Sequence, residues 1–150
     1  METAKIYIVY AISAGQKTEE QRRKEFAMHS VRNRKFRYFQ EFCEFLKKWD
    51  DYDYYGAADV MGYFLFKDDA MKAVESNMAD INEAGTYPYA AILALDTGCM
   101  YPEAYIMPDA HIPVFQYNRD KDRYEEMTQT EENSKFLRFL KKTVTGMITG

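Results

Sequence analysis

The segment from Gln21 to Gln40 carries the side chains best suited to recognising an anion. It holds seven Arg or Lys residues and one acid, although the whole chain has a formal net charge of -4. The rest of the chain therefore carries -10. Because so acidic a chain repels duplex phosphates, we expect no binding of duplex nucleic acid. One compact anion or an acidic protein partner matches the segment better.

Arginine and phenylalanine share one face of this segment when it is plotted as a helix at 100° per residue. Such pairs stack planar rings and grip phosphate or carboxylate groups. Two other interpretations stay open: the phenylalanines face a second core layer, or they form a homodimer contact. The predicted ligand-binding residues are Arg22, Arg23, Phe26, His29, Arg32, Asn33, Arg34, Phe36 and Arg37.

The opposite face of the same plot is apolar and is predicted to face the core. Its members are Met28, Val31, Tyr38, Phe39, Phe42, Phe45, Leu46 and Trp49.

Hydrolytic chemistry has weaker support. The triplet Asp96-Thr-Gly98 follows an apolar run, as in the catalytic turn of aspartic proteases. That chemistry needs a second carboxylate about 3 Å away, and no second triplet of this kind occurs. His29 and His111 are the only histidines, and Cys99 could form a nucleophile–base pair with either of them only through the fold.

Motifs for cofactors and metals are absent from the sequence. There is no glycine-rich phosphate loop and no paired Cys or His spacing for zinc. The two cysteines, Cys43 and Cys99, fit reduced thiols in the cytoplasm. We therefore assign no catalytic residue, no metal and no cofactor.

The sequence predicts a binding protein rather than an enzyme. The first hypothesis is sequestration of a small, nucleotide-like anion by the basic helix face. The alternative is an inhibitor or adaptor that docks the same helix onto an acidic partner. The third hypothesis is a hydrolase that uses Asp96 or a His–Cys pair.

The totals predict one domain over residues 1–150. The chain is 47% hydrophobic and 16% aromatic, which is ample for a single packed core. It contains no run of about 18 apolar residues, so no membrane segment is expected.

Periodicity predicts an α+β fold with a mixed or antiparallel sheet of about five or six strands and helices mainly on one face. The predicted order is β-α(broken)-β-α-β-β-β-β-α. The predicted strands cover residues 5–12, 60–66, 89–95, 104–107, 112–117 and 123–127. The predicted helices cover residues 17–49, 68–83 and 128–142, the second capped by Asp68 or Asp69 and the third by a box of Thr128 and Glu131.

The first predicted helix is too long for a compact domain. Its 33 residues would span about 50 Å at 1.5 Å per residue, against a radius of gyration of about 15 Å for a domain of this size. We therefore predict a break between His29 and Asn33, where Ser30 and Asn33 favour caps.

Two stretches of the chain resemble short bacterial and phage proteins of unknown function. The first is residues 62–83, Gly-Tyr-Phe-Leu-Phe-Lys-Asp-Asp-Ala-Met-Lys-Ala-Val-Glu-Ser-Asn-Met-Ala-Asp-Ile-Asn-Glu, and the second is the following Tyr89-Ala-Ala-Ile-Leu-Ala-Leu. The resemblance implies a strand, a helix and a strand beginning Tyr-Ala, and it implies no activity. Members of that group carry Cys and His where this chain has Ala79 and Asn82, so no metal or thiol site is expected there. The resemblance implies the cytoplasm of a bacterial cell or a phage-infected host as the location. A sequestering protein of phage type, which removes a signalling nucleotide in counter-defence, suits this resemblance.

Overall fold

The computed structural model describes residues 5–33, 36–48, 51–82, 85–97 and 112–149, with side chains described for all of these except 29–33, 80 and 146–149. Strands and helices follow in this order: β1 (Lys5–Gln16), α1 (Glu19–Asn33), α2 (Phe39–Lys48), β2 (Tyr54–Phe64), α3 (Lys67–Glu75), a 3-10 turn (Met78–Asp80), β3 (Tyr89–Asp96), β4 (Val114–Asn118), β5 (Arg123–Glu126) and α4 (Ser134–Thr149).

The five strands form one sheet in the order β2-β1-β3-β4-β5. The β1–β3, β3–β4 and β4–β5 pairs are antiparallel, with Val9 opposite Ile92 and Ala90 opposite Phe115. The predicted α+β fold with an antiparallel sheet is confirmed. The chain divides into two compact units, Met1–Ala14 with Gly56–Gly150, and Gly15–Tyr55, which are described separately here.

Helix α3 covers one face of the sheet in the larger unit. Val9 and Ala11 of β1 lie on this face, together with Ala90, Ile92 and Phe115 of the neighbouring strands. Ala70 and Val74 of α3 and Ile81 after it complete the cluster. The small alanines let the helix approach the strands closely, since interiors are packed at crystal-like density.

Helix α4 covers the opposite face. Phe136 packs edge-on against Tyr89, with ring centroids 5.1 Å apart, and Tyr89 points away from Ala90 because strand side chains alternate. Leu140 and Val144 of α4 are fully buried. The helices α3 and α4 thus lie on two faces, whereas the sequence placed helices mainly on one. The difference arises because β1 and β3 are apolar at consecutive positions and need cover on both sides.

The predicted break in the first long helix is confirmed, at a slightly later position. Helix α1 runs to Asn33 and α2 begins at Phe39, so the predicted capping residues Ser30 and Asn33 lie inside α1. Gly15 does not end β1, which continues to Gln16. A Cβ atom at Gly15 would lie 2.6 Å from the Tyr55 hydroxyl oxygen, so glycine permits this close approach.

Several boundaries differ from the predictions. Strand β2 is Tyr54–Phe64, and α3 ends at Glu75 because Asn77 and Ala79 adopt left-handed backbone angles, with φ of 50° and 55°. Neither predicted aspartate caps α3, whose N-cap is Phe66.

The last helix is Ser134–Thr149, so it starts six residues later and ends seven residues later than predicted. A reciprocal box of Thr130 and Asn133, not of Thr128 and Glu131, lies in the turn before it. The Thr130 amide donates to Asn133 Oδ1 and the Asn133 amide donates to Thr130 Oγ1. The β3, β4 and β5 predictions are confirmed within two residues, and the predicted strand at 104–107 lies outside the described residues.

Candidate ligand-binding site

The N-terminus of α1 fixes the position of the first candidate residue. The Thr18 amide donates to Gln21 Oε1 at 2.8 Å, and the Gln21 amide donates to Thr18 Oγ1 at 3.2 Å. This reciprocal capping satisfies two amides that the helix leaves unpaired. It holds the first turn rigid and presents Arg22 at the start of the second turn.

Arg22 turns back towards the chain that follows α2. Its Nη1 donates to the carbonyl oxygens of Lys17 at 3.3 Å and Tyr52 at 3.0 Å. The guanidinium carbon lies 4.0 Å from the centroid of the Tyr52 ring. The Arg22 Nε is buried and has no acceptor among the described residues. The arginine is thus oriented by two carbonyls and one ring, and it keeps donors unused.

Lys47, in the last turn of α2, brings a second cation to the same ring. Its Nζ lies 4.8 Å from the Tyr52 centroid. Within the described parts of the chain, neither Lys47 nor Arg22 has an ion-pair partner. We call Arg22, Lys47 and Tyr52 the basic–aromatic site.

A partly buried ion pair lies next to this site along the chain. Lys17, with a side chain only 7% exposed, pairs with Glu25 at 3.1 Å and donates to the Asp51 carbonyl at 2.6 Å. Glu25 is thus engaged by Lys17, and neither Arg22 nor Lys47 forms an ion pair with it.

The phenylalanines predicted to face outward instead join α1 to α2. Phe26 lies 5.8 Å from Phe39 and 5.7 Å from Phe42, and Phe36 lies 5.4 Å from Phe42 and 5.0 Å from Phe45, between ring centroids. These rings form one aromatic cluster. Edge-on and tilted contacts of this kind stabilise packing beyond the area that they bury.

The predicted core stripe is wrong at two positions. Met28 is 58% exposed and Tyr38 is 59% exposed, whereas Phe42 and Leu46 are buried as predicted. The error has a physical cause. The prediction assumed one continuous helix with 100° per residue, but residues between two helices do not keep that phase. The apolar face of α2 therefore does not extend onto the same face of α1.

The other predicted site residues are not gathered at one point. Arg23 pairs with Glu19 at 3.3 Å and lies 4.3 Å from the Phe39 ring, and Arg37 lies 5.8 Å from the Tyr38 ring. The backbones of His29, Arg32 and Asn33 are in α1, but their side chains are outside the described set, as is Arg34 altogether.

Groups considered for hydrolysis are not brought together in the described structure. The Asp96 carboxylate pairs with Lys5 at 3.3 Å at the end of β3, where the two residues face each other across the sheet. Cys99 and His111 lie outside the described residues. No group of three or more His, Cys, Asp or Glu side chains suited to a metal occurs in the described ranges.

Lys47 and Tyr52 were missed as site residues. Lys47 lies in the last turn of α2 and Tyr52 follows that helix. Their segment, Lys47-Lys-Trp-Asp-Asp-Tyr-Asp53, has the composition of an ordinary helix end and turn. The signal that could have found them is the length argument itself. A broken helix folds back, and the turn after it then returns to the start of α1.

Comparison of the chain with protein-family models, with curated proteins and with solved structures gave no match. Across the part of the chain that the structure describes, no helix has both the length and the apolar character to cross a membrane.

Proposed function

We propose that this protein is a non-catalytic binding protein that holds a small, nucleotide-like anion at the basic–aromatic site. The observation that carries the proposal is that Arg22 and Lys47 share the Tyr52 ring without an acidic partner within the described ranges. Two cations at one aromatic ring, neither of them in an ion pair among the described residues, favour an incoming anion, because the ligand replaces water at their charges.

The chemistry of the three side chains suits a phosphate attached to a planar group. The guanidinium of Arg22 is a planar fork that binds two phosphate oxygens, and Lys47 adds a mobile point charge. Because two backbone carbonyls already orient Arg22, less side-chain entropy is lost when a ligand binds.

Sequestration without turnover is the role that these features support. A counter-defence protein that removes a signalling nucleotide would need affinity and no reaction, and the resemblance of residues 62–83 to short phage proteins is in keeping with that role. The ligand acts in this proposal as cargo, and no side chain is assigned a chemical step.

Calorimetric titration with mononucleotides, cyclic nucleotides and inorganic phosphate tests the proposal. We expect Lys47→Gln to weaken nucleotide binding about threefold to tenfold, as for the loss of one partly exposed charge–charge contact. Lys47 is the informative position because the contact described for it is with the Tyr52 ring alone, so its loss leaves the packing intact. Lys72→Gln on α3 is the matched control, with the same change of charge at an exposed residue of the other unit.

The absence of heat with every nucleotide, together with no nucleotide released when the purified protein is denatured, would contradict the proposal. If Lys47→Gln and the unsubstituted protein bind a nucleotide equally well, the nucleotide binds outside the basic–aromatic site. Falling affinity with rising salt is expected as well, because the attraction is electrostatic.

An acidic protein partner is the second candidate. Met28 and Tyr38 are large apolar side chains more than half exposed, and each lies close in sequence to a basic residue, Arg23 or Arg37. Capture of a partner that is lost in the Arg23→Glu, Arg37→Glu double variant, with nucleotide binding absent, would favour this candidate over the first.

A further inference from the structure

The larger unit contains a cavity of about 530 Å³ between the end of β2, helix α3 and the chain that leads into β3. Its volume falls within the range of about 300–1,000 Å³ that is typical of small-molecule sites. The floor consists of core residues, Val9, Ala73 and Ile81, together with the Phe64 ring. The cavity therefore rests on the packed sheet, and the 3-10 turn and the chain before β3 form its other walls.

Two methionines form the rim of this cavity. Met61 is 40% exposed and Met78 is 52% exposed, and both line it. Methionine side chains are flexible and polarisable, and they adapt to apolar ligands of different shape. The rim thus favours a ring or a short apolar chain as the body of a ligand.

Tyr87, next to Thr86, forms the polar wall of the cavity, and residues outside the lining hold its amide, carbonyl and hydroxyl groups in place. The Tyr87 amide donates to Asn82 Oδ1 at 3.1 Å, and the Tyr87 carbonyl accepts from the buried Tyr124 hydroxyl at 2.7 Å. The Tyr87 hydroxyl donates to Asp59 Oδ2 at 2.6 Å. Asn82 in turn donates its amide to Asn77 Oδ1 at 2.9 Å. Such a network holds the wall in place before a ligand binds.

At the Tyr87 hydroxyl, the wall offers a ligand an acceptor and not a donor. Because the Tyr87 proton is directed to Asp59, the hydroxyl oxygen is left as an acceptor, and the carboxylate beside it is negative. The hydrogen bond to Asp59 is the main cause that raises the pKa of Tyr87, with burial and the carboxylate charge adding to it, so the hydroxyl stays protonated. Among the described residues, Asp59 has no cationic partner.

A strained backbone segment borders the same cavity. Ala79, which lines it, has φ of 55°, and Asn77 before it has φ of 50°. The left-handed conformation is unfavourable for alanine because its Cβ approaches the following carbonyl oxygen. Strain of this kind is retained where the surrounding structure over-determines it, and it is concentrated at binding sites.

We propose that this cavity is a second ligand site, which takes an apolar small molecule with one protonated amine, the amine lying against the Tyr87 hydroxyl and the Asp59 carboxylate. Its preference for charge is opposite to that of the basic–aromatic site. All of its residues lie in the unit of Met1–Ala14 and Gly56–Gly150, whereas Arg22, Lys47 and Tyr52 lie in Gly15–Tyr55. The two proposals therefore stand or fall separately.

Three probes test the site, and each carries the same naphthyl group on a two-carbon linker. They are 2-(1-naphthyl)ethylamine, 2-(1-naphthyl)ethanol and 3-(1-naphthyl)propanoate. We expect the full chain to bind the amine about threefold to tenfold more tightly than the alcohol, as for a partly exposed hydrogen bond to a charged group, and the carboxylate most weakly. Amide chemical-shift changes on binding of the amine should be centred on Gly62, Thr86 and Tyr87.

The variants separate the ligand contact from folding. Asp59→Asn should bring the affinities for amine and alcohol to within about twofold of each other, because the charge is removed while the apolar cavity stays. Asp120→Asn, an exposed carboxylate in the β4–β5 turn, is the matched control and should keep the preference. Tyr87→Phe should weaken the binding of the amine and of the alcohol to the same extent. Its thermal midpoint should stay within a few degrees of that of the native protein.

The proposal is overturned if none of the three probes binds, if amine and alcohol bind equally, or if Asp59→Asn keeps the full preference for the amine. Shift changes confined to residues 15–55 would also overturn it, since they would place the probe at the other unit.

Discussion

Replacing Tyr124 by phenylalanine removes one hydroxyl from the core and keeps the ring. Tyr124 has no exposed surface, packs edge-on against Tyr117, and donates at 2.7 Å to the Tyr87 carbonyl. The substitution therefore deletes one hydrogen bond and leaves a partly buried carbonyl without that donor. We expect a loss of about 1–2 kcal/mol in the free energy of unfolding at pH 8.

The pH dependence provides a sharper test of the same residue. Burial is the main cause that raises the pKa of Tyr124 above its ordinary value of 10.0. A group whose folded-state pKa is raised contributes stability fully below its unfolded pKa and loses it as the pH rises. Above pH 10, Tyr124 ionises in the unfolded chain but not in the folded one. Between pH 8 and 10.5 the unfolding free energy of the native protein should therefore fall by about 0.8 kcal/mol more than that of Tyr124→Phe.

Urea unfolding followed by circular dichroism between pH 8 and 10.5 measures both effects. The difference in unfolding free energy between the native protein and Tyr124→Phe should be largest at pH 8 and should become smaller above pH 10. The other tyrosines with a raised pKa, Tyr10, Tyr87 and Tyr89, occur in both proteins, so their contributions cancel. Tyr38→Phe controls for loss of an exposed hydroxyl at pH 8 and should lie within about 0.5 kcal/mol of the native protein. A Tyr124→Phe protein equal to the native one at pH 8, or a gap that widens with pH, would refute the reasoning.

Two further predictions concern the α1 face and the border of the cavity. Phe26→Ala should destabilise the protein by about 2–3 kcal/mol through the loss of its contacts with Phe39 and Phe42, whereas Met28→Ala should cost less than about 0.5 kcal/mol. Urea unfolding measures both changes. A larger loss for Met28→Ala than for Phe26→Ala would show that Met28, and not Phe26, faces the core. Ala79→Gly should raise the unfolding free energy by about 0.5–1 kcal/mol because glycine adopts positive φ without strain, and a thermal midpoint below that of the native protein would show that Ala79 is not strained.

Strands were predictable wherever one local pattern was sufficient. The runs in β1 and β3 are rich in β-branched and aliphatic residues at consecutive positions, so they had to be covered on both faces. The polar turn 118–122 marked the hairpin of β4 and β5, and the length argument required a break in the first helix. Each of these features depends on neighbours in sequence.

Helix limits were less predictable because they depend on groups that are far apart in the chain. Helix α3 ends early where Asn77 donates to Asp122, 45 residues later, at 3.3 Å, and Asn77 accepts from Asn82. An asparagine in a helical pattern looks like a solvated surface residue. Only the fold showed that Asn77 is buried and satisfied by the β4–β5 turn.

The sequence by itself determined that a basic and aromatic segment exists in an acidic chain, that it is helical, and that the helix breaks. The tertiary structure decided which of its side chains meet. Arg22 reaches Tyr52, 30 residues later, only because α2 folds back after the break, and Tyr87 reaches Asp59 across 28 residues. Periodicity specifies a face within one helix or strand, whereas contacts between elements depend on the long-range packing that brings those faces together.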